Sequence, residues 1–384
     1  MRIIFRVDSG YRVASGHLMR CKNLALSMKN KGYQVEFLSK EYPGNLIDML
    51  EKDFIVHRLE FNPNFQLTED TTTWLGDLPT QDIKKCYDRL QHIVISNDND
   101  NEQLQNKYVP IDLLVIDHYG IDYQWEDLFR LEIQFDTQIF VIDDLHNRKH
   151  HCDYLLDQTF YLDSKYNPYK EKELISNSCE CFLGTNYLLL SPLFSYAHQS
   201  INIYSQLNNI KHVQINFGGV DRTKQTLKVV QWLLNDGDIL KDITFDILLG
   251  RLYDDTNDEL QDLIKEHTNF IIYRDLDYSE IIDLLKMTDL YIGATGVSIY
   301  ERCCLGIPSI GFTLVDNQKM NASNLSKTGA LTYLGNAHDC TKEMLISTFQ
   351  KYISDPILVK TQREKCYKLV DGNGCQRLLS KLFI

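Results

Sequence analysis

The sequence predicts an α/β protein made of two Rossmann-like, doubly wound parallel sheets. Three observations support that class. Short apolar runs rich in β-branched and aromatic residues alternate with helical stretches along the whole chain. The length, 384 residues, suits two domains of ordinary size, each able to bury its own core. The alternation also stops and restarts: residues 195–209 are polar, with few strong helix formers beyond their Ile, Leu and Tyr residues. That stretch is read as a linker between an N-terminal domain, 1–194, and a C-terminal domain, 210–384.

The elements follow in order. Residues 3–7 form a strand. A helix opens at His17, carries the stripe Leu18, Cys21, Ala25, Met28 at spacings of three and four, and closes at Lys31-Gly32. Ser15 is its expected N-cap. Residues 33–38 form a strand, 45–52 a helix and 55–59 a strand. The runs Leu113-Leu114-Val115-Ile116 and Ile139-Phe140-Val141-Ile142 fit strands buried on both faces. In the second half, 213–217, 245–249, 270–273, 290–292 and 310–315 read as strands. Helices follow 217 (Thr226, Leu227, Val230, Leu233) and 296 (297–304, stopped by Gly306-Ile307-Pro308), and 360–383 reads as terminal helices. Residues 61–107 are polar and read as a surface excursion with one helix, loop-like over 97–102; a lid or an oligomer contact is the other reading.

Composition bounds the function. A net charge of −13 argues against nucleic acid and against an anionic membrane surface as partners. It leaves a nucleotide ligand open, because a few local N–H groups and basic side chains can hold two phosphates. The ten cysteines contain no C-x-x-C pair, and Cys179-x-Cys181 and Cys303-Cys304 are too close for zinc half-sites. Arg2, Arg6 and Asp8 stand where a secretory signal needs apolar residues, and no apolar run approaches the ~20 residues of a spanning helix. Reduced thiols in a cytoplasm are the expected setting, with no metal and no cofactor.

Residues 5–20 read F-R-V-D-S-G-Y-R-V-A-S-G-H-L-M-R. The first turn of a helix exposes N–H groups and about half a positive charge. At His17 that field, with Arg20 one turn on, favours neutral imidazole, the form a general base needs. The same N–H groups can hold an anion. One loop thus suits both a base and a charged leaving group; a plain strand-to-helix turn with a surface histidine is the alternative. Asp117-His118-Tyr119-Gly120 directly follows a strand, where ligands bind in open α/β sheets; a turn with a packed tyrosine is equally consistent.

Other stretches leave similar choices. Asp143-Asp144 invites a metal, but adjacent carboxylates point in different directions and no third ligand is spaced to help. His150-His151-Cys152-Asp153 also looks like a metal cluster. Gly218-Gly219 lets backbone approach phosphate or sugar, or makes a tight turn. Gly293-Ala294-Thr295-Gly296 leads into a helix bearing Ser298 and Glu301. There small residues leave N–H groups for a pyrophosphate, and Glu301 can accept from two ribose hydroxyls. A plain βα unit with a salt-bridged glutamate is the alternative. Asn317 and Gln318 follow the next strand.

Arg6-x-Asp8-Ser9 followed by Gly16-His17-x-x-Arg20 resembles the N-terminal signature of the PseG family, the UDP-2,4-diacetamido-2,4,6-trideoxy-β-L-altropyranose hydrolases of pseudaminic acid biosynthesis. The resemblance continues through Asp117-His118-Tyr119-Gly120, residues 150–158 and 184–192, the strand–G-x-x-G–helix–E–G-x-P pattern over 290–308, Asn317-Gln318, and Asp371-Gly372-x-Gly374-x-x-Arg377. It departs at Val13-Ala14-Ser15, one glycine poorer than the family, and over 61–107, which is longer.

The resemblance implies a MurG-like GT-B fold with an interdomain cleft. It implies metal-independent, inverting C–O cleavage, in which His17 activates water and UDP leaves. Tyr119 and Asn317 would face the sugar. Arg6, Asp8, Gly16, Arg20, Gly218, Gly219, Gly296, Ser298, Glu301 and Gln318 would bind a UDP-amino-sugar. A monomer or weak homo-oligomer is expected. A transferase of the same fold and a non-catalytic nucleotide-sugar sensor are the alternatives. A transferase acting at a membrane needs an apolar patch with basic residues beside it, whereas Arg2, Arg12 and Arg20 are scattered.

Overall fold

The computed structural model describes residues 1–13, 15–90, 110–133, 136–204, 210–236, 242–250, 252–254 and 257–382. They form two compact units. The first comprises residues 1–158 and 165–183. Its strands are β1 (Arg2–Val7), β2 (Gln34–Lys40), β3 (Ile55–Leu59), β4 (Leu113–Asp117), β5 (Gln138–Ile142), β6 (Tyr154–Asp157) and β7 (Glu180–Leu183). They make one seven-stranded sheet in the order β3-β2-β1-β4-β5-β6-β7, every pair parallel. All six positions of β1 are buried, as a central parallel strand requires. Ile4 packs with Leu114, Trp125 and Phe129 on one face. Phe5 stacks on Phe37 on the other, ring centroids 5.0 Å apart.

The helix Gly16–Asn30 buries the expected stripe: Leu18, Cys21, Ala25 and Met28 have no exposed surface. Ser15 stands at the cap position, but its side chain makes no capping hydrogen bond, because its backbone is already in the helical region (φ −110°, ψ −13°) rather than extended. Beyond β3 the chain is less superficial than its polarity suggests. Asp70 caps a short turn, Thr71–Leu75, by accepting from Thr72 N. The helix Pro79–Leu90 then buries Asp82, Ile83, Cys86 and Leu90. The loop expected over 97–102 lies outside the described residues.

The second unit comprises residues 159–164 and 184–382. Its strands are β8 (His212–Asn216), β9 (Thr244–Leu249), β10 (Phe270–Arg274), β11 (Leu290–Ala294), β12 (Ser309–Thr313) and β13 (Thr332–Asn336), in one six-stranded parallel sheet ordered β10-β9-β8-β11-β12-β13. Both sheets therefore reverse strand order once, at β1/β4 and at β8/β11, which are the switch points where doubly wound sheets bind ligands. The helix Pro192–Ser200, started by Ser191 and Pro192, runs into the stretch expected as linker. Its Phe194 and Ala197 join the core of the second unit. Residues 205–209 of that stretch lie outside the described residues. Among the described residues, no helix is long and apolar enough to cross a membrane.

Candidate active site

β1 and β4 run side by side, with Val7 opposite Asp117. The loop after β1 delivers His17 to this edge at the second position of its helix. His17 Nδ1 lies 2.5 Å from Asp117 Oδ1. Arg20, one turn further, grips the same carboxylate twice: Nε donates to Oδ2 at 2.6 Å and Nη2 to Oδ1 at 2.8 Å. Its Nη1 donates to Asp144 at 3.1 Å. Arg20 thus directs its charge at two carboxylates rather than at the imidazole, as its sequence position had suggested.

Burial alone would push the Asp117 carboxyl up; Arg20 and then His17 outweigh it and hold Asp117 far below the usual carboxylate range. An ionised carboxylate only accepts hydrogen bonds, so the proton between the pair sits on His17 Nδ1. Nε2 is left to exchange a proton with a ligand. His17 is 8% exposed, enough for a small molecule to reach a ring that is otherwise held in place.

Tyr119 does part of that holding. Its ring meets the imidazole edge-on, centroids 4.4 Å apart at 84°. Its hydroxyl donates to Asp144 Oδ1 at 2.5 Å. Burial, then Asp144, push that hydroxyl well above its ordinary pKa, so it remains a donor. The Arg148 guanidinium lies 5.8 Å from the Tyr119 ring centroid and donates to the Ile121 carbonyl at 2.8 Å, which fixes the loop after β4.

Arg6 and Asp8 lie beneath this layer with no exposed surface, not at a surface a ligand can touch. Arg6 bridges Asp8 at 2.7 Å and Asp82 at 3.0 Å. Lys40 Nζ lies 2.8 Å from Asp82 and 2.6 Å from Asp77. Asp8 also accepts from Lys40 N at 2.7 Å. Against the cost of burial, Arg6 and Lys40 keep Asp82 ionised, at about 2. His118 Nδ1 accepts from Gly120 N at 3.0 Å, and burial lowers its pKa, so the neutral ring carries its proton on Nε2. That atom lies 3.1 Å from Asp8 Oδ2, close enough for the two to attract. These charges rigidly tie the ends of β1, β2 and β4.

The pairs that invited a metal have other work. Asp143 accepts from Leu145 N, His146 N and the Tyr169 hydroxyl, while Asp144 serves Arg20 and Tyr119. His150 Nδ1 lies 2.6 Å from the buried Glu126.

In the second unit, Gly293 is required: a Cβ there would lie 1.9 Å from the Asn216 carbonyl oxygen, where β8 and β11 approach. Gly218 follows β8 with φ +93° and open space where a side chain would stand. Gly219 backs onto Gly250, whose Cβ would sit 2.3 Å from its Cα. Gly296 leads into the helix Ser298–Cys304, and Gln318 lies over it, Nε2 being 3.6 Å from where a Gly296 Cβ would be. Arg302, which sequence reasoning passed over, braces this loop from behind. It stacks 3.7 Å from the Tyr291 ring centroid and donates to Ala294 O at 2.9 Å and Ser298 Oγ at 3.1 Å.

Glu301 is only partly exposed, and no hydrogen bond or ion pair holds its carboxylate among the described residues. Burial, only partly offset by Arg302, pushes it up to about 7. Asn317 is exposed immediately before the helix Gln318–Thr328. Gly16 is exposed as well, with open space above it.

Sequence reasoning put His17 and Arg20 at a helix opening and Asp117, His118 and Tyr119 at a strand end where ligands bind, but it did not pair Asp117 with His17, weighed Asp144 only as a metal ligand, and passed over Lys40 and Asp82. The position of Asp117 at the end of a strand was its signal. Asp82 offered none.

No family model matches the chain. A spore coat polysaccharide biosynthesis protein of Bacillus subtilis, SpsG, is 23% identical over 382 residues, covering 100% of this chain and 98% of that protein. The UDP-2,4-diacetamido-2,4,6-trideoxy-beta-L-altropyranose hydrolase of Campylobacter jejuni is 24% identical over 339 residues, 86% of this chain and 97% of that one. An uncharacterized protein of Methanocaldococcus jannaschii is 27% identical over 233 residues; the match spans 59% of this chain and about half, 46%, of that protein. Among solved structures, MurG of Acinetobacter baumannii superposes with a TM-score of 0.59 at 14% identity, covering 99% of this chain and 98% of that one. A UDP-GlcNAc 2-epimerase of Neisseria meningitidis bound to UDP-GlcNAc gives 0.62 at 12%, covering 100% and 99%. The fold is GT-B.

Proposed function

We propose that the protein is a nucleotide-sugar hydrolase that cleaves the sugar–phosphate C–O bond of a UDP-linked 2,4-diacetamido-2,4,6-trideoxyhexose. The observation that carries this reading is the His17–Asp117 pair: a carboxylate fixes the proton on Nδ1 and leaves Nε2 as a base at a sheet edge that suits ligands. The Campylobacter relative supports the reaction and the sugar. Water attacks the anomeric carbon while Nε2 takes its proton. The electron pair of the C–O bond passes to the β-phosphate oxygen, UDP leaves, and the anomeric configuration inverts, as a single displacement requires. UDP is held by the second unit, its pyrophosphate at Gly296 and Ser298 and its ribose hydroxyls at Glu301. Asn317 contacts the sugar. Tyr119 and Asp144 position the base.

Incubation with UDP-2,4-diacetamido-2,4,6-trideoxy-β-L-altrose in 18O-labelled water tests the reading. The expected result, with no acceptor added, is free sugar labelled at the anomeric oxygen and unlabelled UDP. Intact donor would point to a transferase lacking its acceptor, and label in UDP would mean attack at phosphorus.

Glu301 gives a second test. Ribose hydroxyls donate to the carboxylate, so UDP should draw its pKa below 7. UDP affinity is therefore full above pH 7 and falls below it, by roughly tenfold between pH 8 and pH 6. Because folding raises this pKa, ionising Glu301 costs stability as pH rises from about 4.5 to 7. Glu301→Gln should thus raise the Tm at pH 8 but not at pH 4, while weakening UDP and abolishing the pH dependence. Calorimetric titration and thermal melts at the three pH values check it.

A further inference from the structure

A cavity of about 420 Å3 lies in the first unit, walled by the loops after β1, β2 and β3. We propose that it receives an apolar, amide-linked acyl group larger than acetyl, so that at one of its two amides the sugar departs from the diacetamido form named above; this rests on the nucleotide-sugar reading above.

Three features point there. The walls are neutral and aromatic: Tyr11, Tyr42, Phe61 and Phe65 line it with Leu67. The single charged liner, Arg12, lies 2.5 Å from Glu69 and is thereby neutralised. The side-chain amides of Asn64 and Gln66 also line the cavity and make no hydrogen bond among the described residues, so a ligand amide finds both a donor and an acceptor.

A wall of the cavity is linked to the base through packed side chains. Tyr11 and Arg12 belong to the same loop that ends at His17. Tyr42, whose ring centroid is 5.0 Å from that of Phe61, donates to the Trp74 carbonyl at 2.7 Å. The Trp74 ring lies 5.8 Å from Tyr119, and Tyr119 lies 4.4 Å from His17. A sugar whose anomeric carbon faces Nε2 can thus extend a substituent along one packed wall. At about 420 Å3 the space falls in the range of sites for whole small molecules, far more than an acetyl group fills.

Ligand-observed NMR titrations of the intact chain carrying His17→Asn, which keeps the donors from being turned over during the measurement, decide the matter, using UDP, UDP-2,4-diacetamido-2,4,6-trideoxy-β-L-altrose and the two analogues in which one acetyl is replaced by hexanoyl. One hexanoyl analogue should bind at least about tenfold tighter than the diacetyl sugar, since each buried methylene adds to affinity. That preference should fall to about threefold or less in Phe65→Ala and in Leu67→Ala; both side chains are half-exposed, and circular dichroism verifies folding. Equal or weaker binding of both hexanoyl analogues with normal UDP binding would overturn the acyl site alone. A preference that survives both substitutions would overturn it as well. Failure of UDP itself to bind would instead overturn the nucleotide-sugar reading, and the acyl site with it.

Discussion

Replacing His17 by asparagine or phenylalanine is expected to lower turnover by about 10²-fold or more while UDP still binds. The expectation rests on geometry: Nε2 is the only ring nitrogen not engaged by Asp117, and a helix held by Leu18, Cys21, Ala25 and Met28 places it. Since UDP is assigned to the second unit, its Kd should stay within about twofold. Single-turnover rates with titration of UDP separate the two quantities. Near wild-type turnover in both variants would remove His17 from the chemistry and reduce the Asp117 contact to packing.

Asp117→Asn should cost nearly as much, for a different reason. The amide can donate to His17 Nδ1, which would move the ring proton to Nε2 and block the base. The expected loss is again about 10²-fold, and the Asp117→Asn/His17→Asn pair should lose little more than either alone, because the two residues act as one unit. The substitution also leaves Arg20, which is 4% exposed, without its bidentate partner. A destabilisation on the order of 3 kcal/mol follows from a buried charge left with Asp144 alone, at 3.1 Å. Rates are therefore compared well below the variant's Tm. 15N chemical shifts of the His17 ring report the tautomer directly; a ring still protonated at Nδ1 with the same rate loss would refute the tautomer argument.

The fold was legible because its signals are local. Central strands such as β1 and β4 are buried on both faces and read as unbroken apolar runs, and the Leu18 to Met28 stripe has helical spacing. The shorter β6 and β7 and the half-buried β13 carry weaker patterns and did not stand out. The site was legible only at its centre. His17 announced itself by opening a helix after a glycine loop, but its partner stands 100 residues away. Only the pairing of β1 with β4 brings the two together. Arg6 and Asp8 read as ligand contacts only through the resemblance of their motif to a family signature. Here Lys40, Asp82 and His118 enclose them, and no spacing rule encodes an ion pair 76 residues apart.

Asp82 also sets a rule for divergence. It sits in the helix Pro79–Leu90, part of a stretch that by polarity alone would pass for a dispensable decoration. Yet it counterbalances two buried cations of the central strands, Arg6 and Lys40. Evolution cannot trim this stretch independently. A relative that shortens it must bring in another carboxylate at the same depth, or exchange Arg6 and Lys40 for neutral residues. Loop length after β3 and the charge of positions 6 and 40 should therefore covary across the lineage.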